Sequence, residues 1–350
     1  MRFGSFMEFH TRTGHAQSNA FAESFNHIDL AESLGLDTVW LAESHFTPER
    51  AVLSAPLLVA AAISERTERL RIGTAVHILP LSNPVQIAEH IATLDHISKG
   101  RFEYGVGRSG LPSNYEGYDI PYRESRERFY EGLQIIQKSF NTDRFSHHGK
   151  YFKLDNVCLT PKPLQDPYPP LKVAATTTES FSLLGEMGLP IFVGVRSLAV
   201  NNVAKQVRLY KQTLREHGYQ YEPNISLRIP VHVANTTPEA LICSKDSFMR
   251  QFQRLGSQLQ ESVSKETADS SEERAKRSAE LAQLNWDDIQ GEKVAVGDPQ
   301  LVIEQLKRIQ SELGIREIIA EFNAGELIPA NKIKQSLELF CKEVIPAFSG

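Results

Sequence analysis

Short apolar segments alternate with longer segments of helical periodicity along nearly the whole chain. Runs of about four to eight apolar residues between turn residues are typical of buried strands, and apolar positions three and four residues apart are typical of helices. The strand pattern occurs in Arg2–Phe6, Thr38–Ala42, Leu70–His77, Phe102–Val106, Leu171–Ala175, Ile191–Val195, Ser226–Val233 and Glu317–Phe322. The helical pattern occurs in Ala20–Ser33, Pro56–Ser64, Pro84–Ser98, Arg123–Phe140, Thr178–Met187, Ala199–His217, Pro299–Leu313 and Asn331–Val344.

This alternation of strand and helix predicts an α/β fold. The closed arrangement with this order is the (β/α)8 TIM barrel, and a large open sheet is the alternative that would give the same order of elements. No linker or internal repeat divides the 350 residues, so we expect a single domain over residues 1–350. A hydrophobic content of 41% is enough to form a core of that size.

One segment late in the chain interrupts the alternation. Residues 256–278 are polar and carry charges of both signs, so they can contribute little to a core. We therefore expect an insertion at about residues 250–290. It is either a solvated helix or loose linker, or a mobile lid over the barrel mouth, because long insertions in barrels often gate the active site.

Charge and composition narrow the class of partner and the compartment. The net charge is -5 and no long basic run occurs, so we expect neither nucleic acid nor an anionic membrane as a partner. The three cysteines, Cys158, Cys243 and Cys341, are widely scattered, which is typical of a reduced compartment. The start of the chain lacks a signal-peptide pattern, so we expect a cytoplasmic protein. The eleven histidines show no metal-ligand spacing, so no metal is expected.

A G-x-G-x-x-G pattern, Gly105–Gly110, follows a predicted strand and matches the fingerprint of nicotinamide dinucleotide-binding proteins. That fingerprint requires a helix to begin at once, so that its N-terminus meets the pyrophosphate. Here Leu111–Gly117 follows, and we expect it to be a loop. The pattern therefore argues against a Rossmann fold and instead indicates Arg108, held between glycines, as a cation that can meet a phosphate.

Polar groups at other strand ends are candidates for chemistry, because active sites of barrels lie at the C-terminal ends of the strands. Glu43 and His45 follow the second strand and form either an acid/base pair or a satisfied structural network. The hydroxyl cluster Ala174–Ser180 precedes a helix and forms either a helix cap or a phosphate cradle. For His10 and His77, core or surface roles are the simpler interpretation.

Several stretches resemble the bacterial luciferase-like flavin monooxygenases. They are Leu36–Phe46, Gly73–Pro80, Ser98–Phe102, Gly188–Pro190, Gly297–Gln300 and Ser336–Phe340. Each motif alone is weak, but their order and spacing extend over almost the whole chain. The family fold is a (β/α)8 barrel, in agreement with the strand count.

The resemblance implies an enzyme that uses reduced FMN, supplied by a separate flavin reductase, and dioxygen to oxidise a small organic substrate, with a homodimer as the usual assembly. Ala75 and Val76 match the family's non-proline cis peptide beneath the isoalloxazine ring, and Val106 lies beside the flavin. His45 is expected near the reacting face, with Glu43 as its partner. The family's phosphate-binding set matches Arg108, Arg126, Thr177 and Ser180, with Thr176 adjacent.

Three departures from the family's light-emitting members change the expected chemistry. Ser44 replaces a histidine associated with base chemistry there, so light emission is not expected. Val106 replaces a cysteine beside the flavin, and Thr176 replaces a glutamate in the phosphate loop. A deazaflavin-dependent oxidoreductase and a non-catalytic flavin-binding relative are the alternatives that the residues leave open.

Overall fold

The computed structural model describes residues 1–195, 198–263 and 268–348. Its strands are β1 (Arg2–Met7), β2 (Thr38–Leu41), β3 (Arg71–Thr74), β4 (His77–Ile78), β5 (Phe102–Gly107), β6 (Phe145–His148), β7 (Lys153–Val157), β8 (Leu171–Ala174), β9 (Ile191–Gly194), β10 (Ile225–Val233), β11 (Ala295–Gly297) and β12 (Glu317–Glu321). Its α-helices are α1 (Gln17–Ser33), α2 (Pro56–Arg66), α3 (Pro84–Ile97), α4 (Pro112–Glu116), α5 (Ser125–Asn141), α6 (Thr178–Glu186), α7 (Val200–Glu216), α8 (Thr237–Val263), α9 (Ala268–Ala282), α10 (Trp286–Ile289), α11 (Pro299–Leu313) and α12 (Ala330–Leu339).

Eight of the described strands form a closed parallel barrel, in the order β1, β2, β3, β5, β8, β9, β10 and β12. The barrel closes where β12 pairs with β1, with Gly4 opposite Ile319 in the register. The other strands are peripheral: β4 pairs with β5, β11 pairs with β10, and β6 and β7 form a separate antiparallel hairpin. The prediction of a (β/α)8 barrel is confirmed, and the open-sheet alternative is wrong.

Strand alternation divides the apolar side chains between two cores. Phe3 and Met7 of β1 belong to the main core between barrel and helices, whereas Phe6 belongs to a smaller cluster. That smaller cluster, which we call the inner cluster, consists of Phe6, Trp40, Ala42, Phe192 and Ile319. Because successive strand residues point to opposite faces, its members belong to the face of the sheet that lines the barrel. The inner cluster therefore packs inside the barrel.

A network of charges fills the N-terminal end of the barrel. Lys172 donates to Glu317 at 2.5 Å and lies 3.5 Å from Glu103. Arg2 donates to Glu103 at 2.6 Å, and the indole of Trp40 donates to Glu317 at 3.1 Å. These partners compensate charges that are expensive to bury alone. These side chains fill the N-terminal end of the barrel, so candidate site residues are sought at its C-terminal end.

The structure corrects three details of the predicted elements. Leu70–His77 is wrong as one strand, because β3 ends at Thr74 and a cis peptide bond joins Ala75 to Val76 before β4. The loop expected at Leu111–Gly117 is wrong, because it contains the short helix α4, which begins at a proline suited to the first helical turn. The hairpin of β6 and β7 was not predicted.

The predicted late insertion is helical in its described residues. Helices α8 and α9 pack along each other, and Ser278 Oγ donates to the carbonyl oxygen of Gly256 at 2.9 Å. The described residues of this segment are mostly helical, whereas its being an insertion, its mobility and a role as a lid stay predictions. Within the described part of the chain, no helix is long and apolar enough to cross a membrane.

Candidate active site

The C-terminal end of the barrel, which we call the mouth, brings together the predicted pair Glu43 and His45. These residues follow β2, and Nε2 of His45 lies 2.7 Å from Oε1 of Glu43. Both side chains are only 5% exposed. The other carboxylate oxygen accepts the backbone N–H of Ile78 at 3.0 Å, so the carboxylate is held from two sides. This rigid, nearly buried pair can orient one histidine ring for proton transfer.

His77 lies on the far side of the same carboxylate. Its Nε2 is 3.8 Å from Oε2 of Glu43, and its Nδ1 is 3.0 Å from the hydroxyl of Tyr104. Burial lowers the pKa of His77 and raises the pKa of Tyr104 well above its usual value. Both groups are therefore neutral near pH 7. The interpretation of His77 as a core residue agrees with this environment.

The predicted cis peptide bond is present between Ala75 and Val76, which is a confirmation of the conformation expected there. Both residues pack against the inner cluster, and Val106 is opposite His77 in the register of β4 and β5. A Cβ at Gly105 would lie only 1.8 Å from the carbonyl oxygen of Thr74. Only glycine permits this approach, because the ring of Phe192 also packs against the same position.

The two predicted arginines lie near the start of α5. Arg108 donates to Ser125 at 3.0 Å, and its guanidinium lies 5.5 Å from the ring centre of Tyr122. Arg126 forms an ion pair with Glu179 in the first turn of α6. The starts of α5 and α6 are therefore joined by a cation from one and a carboxylate from the other.

The predicted hydroxyl cluster caps α6. Thr177 Oγ1 accepts the N–H of Ser180 at 3.3 Å, and Ser180 Oγ accepts the N–H of Thr177 at 3.0 Å. The same Ser180 oxygen accepts the N–H of Thr176 at 3.1 Å. This is a reciprocal capping box, so the capping interpretation is confirmed. A helix N-terminus with its positive dipole also favours an anion, so the phosphate role stays a prediction.

Sequence reasoning missed two neighbours of these residues. Tyr118 places its hydroxyl 3.4 Å from Nδ1 of His45, although 73 positions separate the two residues. Arg277, from α9, donates to the carbonyl oxygen of Thr176 at 2.9 Å. Neither contact has a sequence signal, because loops and solvated-looking helices have no periodicity that aims a side chain.

A third group, Glu8, His10 and Glu326, has ligand atoms within 4.8 Å of one another, an arrangement that sequence reasoning also missed. Arg50 donates to Glu8 at 2.6 Å, and Arg254 pairs with Glu326. Because guanidinium groups already neutralise these carboxylates, the group is an ion-pair cluster rather than a good cation site.

A cavity of about 640 Å³ lies beside β1, between α1 and α12. Its lining includes Phe6, Phe9, His27 and Phe322, together with Glu8 and His10 of the ion-pair cluster. Glu43, His45 and the predicted flavin-binding residues do not line it. The cavity therefore does not contain the candidate site.

Comparisons with known proteins agree with this architecture. The family model described as luciferase-like monooxygenase matches residues 1–317. The alkanal monooxygenase alpha chain of the Kryptophanaron alfredi symbiont is 31% identical over 63% of this chain and 61% of its own length. The 4-hydroxyprotoasukamycin monooxygenase of Streptomyces nodosus subsp. asukaensis is 28% identical, with 92% of this chain and 86% of the relative aligned. The oxygenase component of the trigonelline monooxygenase of Acinetobacter baylyi is 24% identical, with 100% and 96% aligned.

The first curated relatives are matched only in part, because the chain spans 48%, 61% and 65% of their lengths. Solved structures match throughout. A monooxygenase from Streptomyces bottropensis superposes with a TM-score of 0.80, at 23% identity and full coverage of both chains. The oxygenating constituent of 3,6-diketocamphane monooxygenase from Pseudomonas putida, in complex with FMN, has a TM-score of 0.78, at 20% identity with 99% and 98% covered.

An F420-dependent secondary alcohol dehydrogenase has the same fold, with a TM-score of 0.76 at 18% identity and 100% and 99% of the two chains covered. The fold alone therefore does not distinguish flavin from deazaflavin chemistry. The family model, in contrast, covers most of the sequence, from the first strand to the start of the last strand of the barrel. This chain belongs to the luciferase-like monooxygenase family.

Proposed function

We propose that this protein is the oxygenase component of a two-component, FMN-dependent monooxygenase acting on a small organic substrate. The observation that carries the proposal is the arrangement of the mouth, where the buried Glu43–His45 pair is held by the backbone N–H of Ile78. Beside α5 and α6, Arg126 pairs with Glu179 at the capped start of α6, and Arg108 donates to Ser125 at the start of α5. Family membership and a relative named as an oxygenase component support it. The reductase that supplies reduced FMN would be a transient partner.

The phosphate of FMN fits the polar end of this arrangement. Arg108 and Arg126 supply two permanent cations near the start of α5, and the N-terminus of α6 supplies a positive dipole with Thr177 and Ser180. Burial raises the pKa of the Tyr130 phenol, and the charges of both arginines act on it in the opposite direction, so both lie near the same ring. Cations and hydroxyls of this kind suit a dianionic phosphate, with Thr176 adjacent.

The isoalloxazine ring fits the apolar end. Ala75 and Val76 present small side chains backed by the inner cluster, and Val106 lies on the neighbouring strand. A flat aromatic ring requires such a flat, apolar support. Glu43 and His45 lie at the adjacent strand end, where they can face a substrate held against the ring.

The bound flavin would supply the oxygen chemistry, activating dioxygen and transferring one oxygen atom to the substrate. The chain's own residues would bind and orient the reactants and exclude water. His45 would hold or accept a proton, and Glu43 would stabilise the imidazolium that results. Ser44 provides no second imidazole, so the proposal does not include light emission. We further propose a homodimer in the cytoplasm.

The decisive experiment is an anaerobic titration with reduced FMN, followed by mixing with aerated buffer and stopped-flow absorbance. The proposal requires micromolar or tighter binding, with FMN bound more tightly than riboflavin because the arginines hold the phosphate. It also requires that bound reduced FMN reoxidise at a different rate from free reduced FMN. Preferential binding of deazaflavin F420 would identify the alternative oxidoreductase and overturn the proposal.

Two variants separate binding of the FMN phosphate from the proposed proton transfer. Arg108→Gln should lower FMN affinity by about tenfold or more and leave riboflavin affinity nearly unchanged. His45→Gln should leave FMN affinity unchanged and change oxygen reactivity or substrate oxidation. FMN binding without any effect of His45→Gln on either reaction would favour the non-catalytic flavin-binding relative.

A further inference from the structure

The tautomer of His45 follows from its partner Glu43. A carboxylate only accepts hydrogen bonds, so the ring nitrogen 2.7 Å from Glu43, Nε2, carries the proton in the neutral ring. The second nitrogen, Nδ1, then has the lone pair. Its neighbour is the hydroxyl of Tyr118 at 3.4 Å, which donates to it. The basic atom of this pair is therefore Nδ1, and a phenol covers it.

The hydrogen bond from Tyr118 is long, and its ring is exposed. A donor–acceptor distance of 3.4 Å lies beyond the usual range for an O–H donor, so the bond is weak. The side chain of Tyr118 is 46% exposed, whereas His45 is only 6% exposed. Tyr118 can leave His45 at little cost, because water already reaches much of its ring.

Phe46 completes an aromatic surface at this point. Its ring lies 5.6 Å from that of Tyr118 and 5.7 Å from that of His45, and its side chain is 58% exposed. The ring is held against Gly117, where a Cβ would lie only 2.1 Å from it. The exposed ring of Phe46 therefore offers, beside Tyr118 and His45, an apolar surface against which an aromatic ligand can pack.

We propose that His45 presents Nδ1 to a substrate carrying an aromatic hydroxyl group, and that Tyr118 is a positioning residue that occupies the same place until the substrate displaces it. The proposal rests on the proposed function and names its substrate class. Tyr118 shows the required geometry, because its own phenol hydroxyl points at Nδ1 while its ring is edge-on to His45, at 83° and 5.2 Å.

The proton step follows from this arrangement. The O–H bond of the substrate breaks, the proton forms an N–H bond at Nδ1, and the electron pair stays on the substrate oxygen as a phenolate. Glu43 stabilises the imidazolium through Nε2. A phenolate is more electron-rich than the phenol, which favours attack by an electrophilic oxygen donor. No further reactant is needed for the proton transfer itself.

The test uses 4-nitrophenol as the probe and nitrobenzene as its analogue without a hydroxyl group. Binding is measured by calorimetry with and without oxidised FMN, and ionisation of bound 4-nitrophenol by its visible absorbance. We expect 4-nitrophenol to bind more tightly than nitrobenzene and to ionise at a lower pH when bound. In Tyr118→Phe, which keeps the ring, its affinity should rise by about two- to threefold, because the weak competing hydrogen bond to Nδ1 is removed.

Two further variants separate positioning from structure. His45→Gln should abolish the enhanced ionisation of bound 4-nitrophenol. Tyr221→Phe is the control, because it removes an exposed phenol hydroxyl that donates to the carbonyl oxygen of Gly188, and it should change neither affinity nor ionisation. The inference is overturned if both probes bind alike, if neither binds, or if Tyr118→Phe leaves 4-nitrophenol affinity unchanged. FMN binding is measured separately. If FMN binds but the two probes do not differ as expected, only this inference is overturned. If FMN does not bind, the proposed function is overturned, and the comparison of the two probes still tests whether Nδ1 recognises a hydroxyl group.

Discussion

Arg277 in α9 donates a hydrogen bond of 2.9 Å to the carbonyl oxygen of Thr176, the residue that precedes the cap of α6. The guanidinium is 7% exposed, and the two residues are separated by 101 positions. A second arginine of the same helix, Arg274, donates to Ser262 at 2.8 Å and approaches the carbonyl oxygen of Gly110 at 3.5 Å. The packed helices α8 and α9, which we call the helical hairpin, are thus tied to the loop that carries Thr176 and to the loop that carries Arg108.

Arg277→Ala should loosen the hairpin from the Thr176 loop. A hydrogen bond from a charged donor to a buried carbonyl contributes about 1.5 to 3 kcal/mol, so local opening of α9 should become more frequent by about one to two orders of magnitude. Hydrogen exchange followed by mass spectrometry should show faster exchange in α9 and at the start of α6. The exchange of β1 and β12 should stay unchanged.

The matched control is Lys276→Ala, because Lys276 is the neighbouring cation and is exposed. It should leave the exchange of α9 close to that of the unmodified protein. Equal acceleration in both variants would mean that helix charge, and not the contact with Thr176, holds the hairpin.

Glu179→Gln should raise the affinity for FMN. The carboxylate pairs with Arg126, and this hydrogen bond lowers the pKa of Glu179, so the residue is ionised near pH 7. The substitution removes one negative charge beside the proposed phosphate site and weakens the pairing with Arg126. We expect about a three- to tenfold gain for FMN that shrinks as salt rises, and no gain for riboflavin.

The comparison for this variant is Glu127→Gln, which removes an exposed carboxylate of α5 that pairs with Lys150 in the turn between β6 and β7. Isothermal titration at two salt concentrations measures both. A gain of the same size for riboflavin would show that the effect is not electrostatic and would remove Arg126 from the phosphate set.

The pattern of apolar residues predicted the order of the barrel strands and helices, because nearly every position of the barrel strands is buried. The same order also fits an open sheet, and the resemblance to the family favoured the closed barrel. The strand ends then placed Glu43 and His45 together without further information, since both follow β2 within a few residues. The cis peptide at Ala75–Val76 came from family resemblance alone. No periodicity in Arg71–His77 indicates it.

Two features of the fold, the β6–β7 hairpin and the inward contact of Arg277, could not be predicted from the sequence. The β6–β7 hairpin was missed because all five residues of Lys153–Val157 are at least partly exposed, so no apolar alternation marks it as a strand. Arg277 was missed for a related reason, since a polar, charge-mixed helix gives no indication of which side chain is buried. Only the folded chain shows which of its cations turns inward.

The charge network at the N-terminal end of the barrel should make stability depend on acid pH. Burial alone would raise the pKa of Glu103, but the charges of Lys172, Arg2 and Arg71 outweigh burial and lower it to about 2. A carboxyl whose folded pKa is depressed contributes stability above its unfolded value of about 4.5, and that contribution is lost as the pH falls towards 2. The free energy of unfolding should therefore decrease between about pH 4.5 and 2.

Glu103→Gln isolates this contribution. The variant should be less stable than the unmodified protein at pH 7 by about 3 to 5 kcal/mol, because Lys172 loses one of its buried partners. Its free energy of unfolding should then decrease less steeply with acid, because the titrating group is gone. The slope between pH 4.5 and 2 should correspond to about one proton fewer taken up on unfolding. Urea unfolding at stepped pH measures both quantities, with Glu127→Gln as the exposed control. Parallel pH profiles for Glu103→Gln and the unmodified protein would show that Glu103 does not titrate in this window.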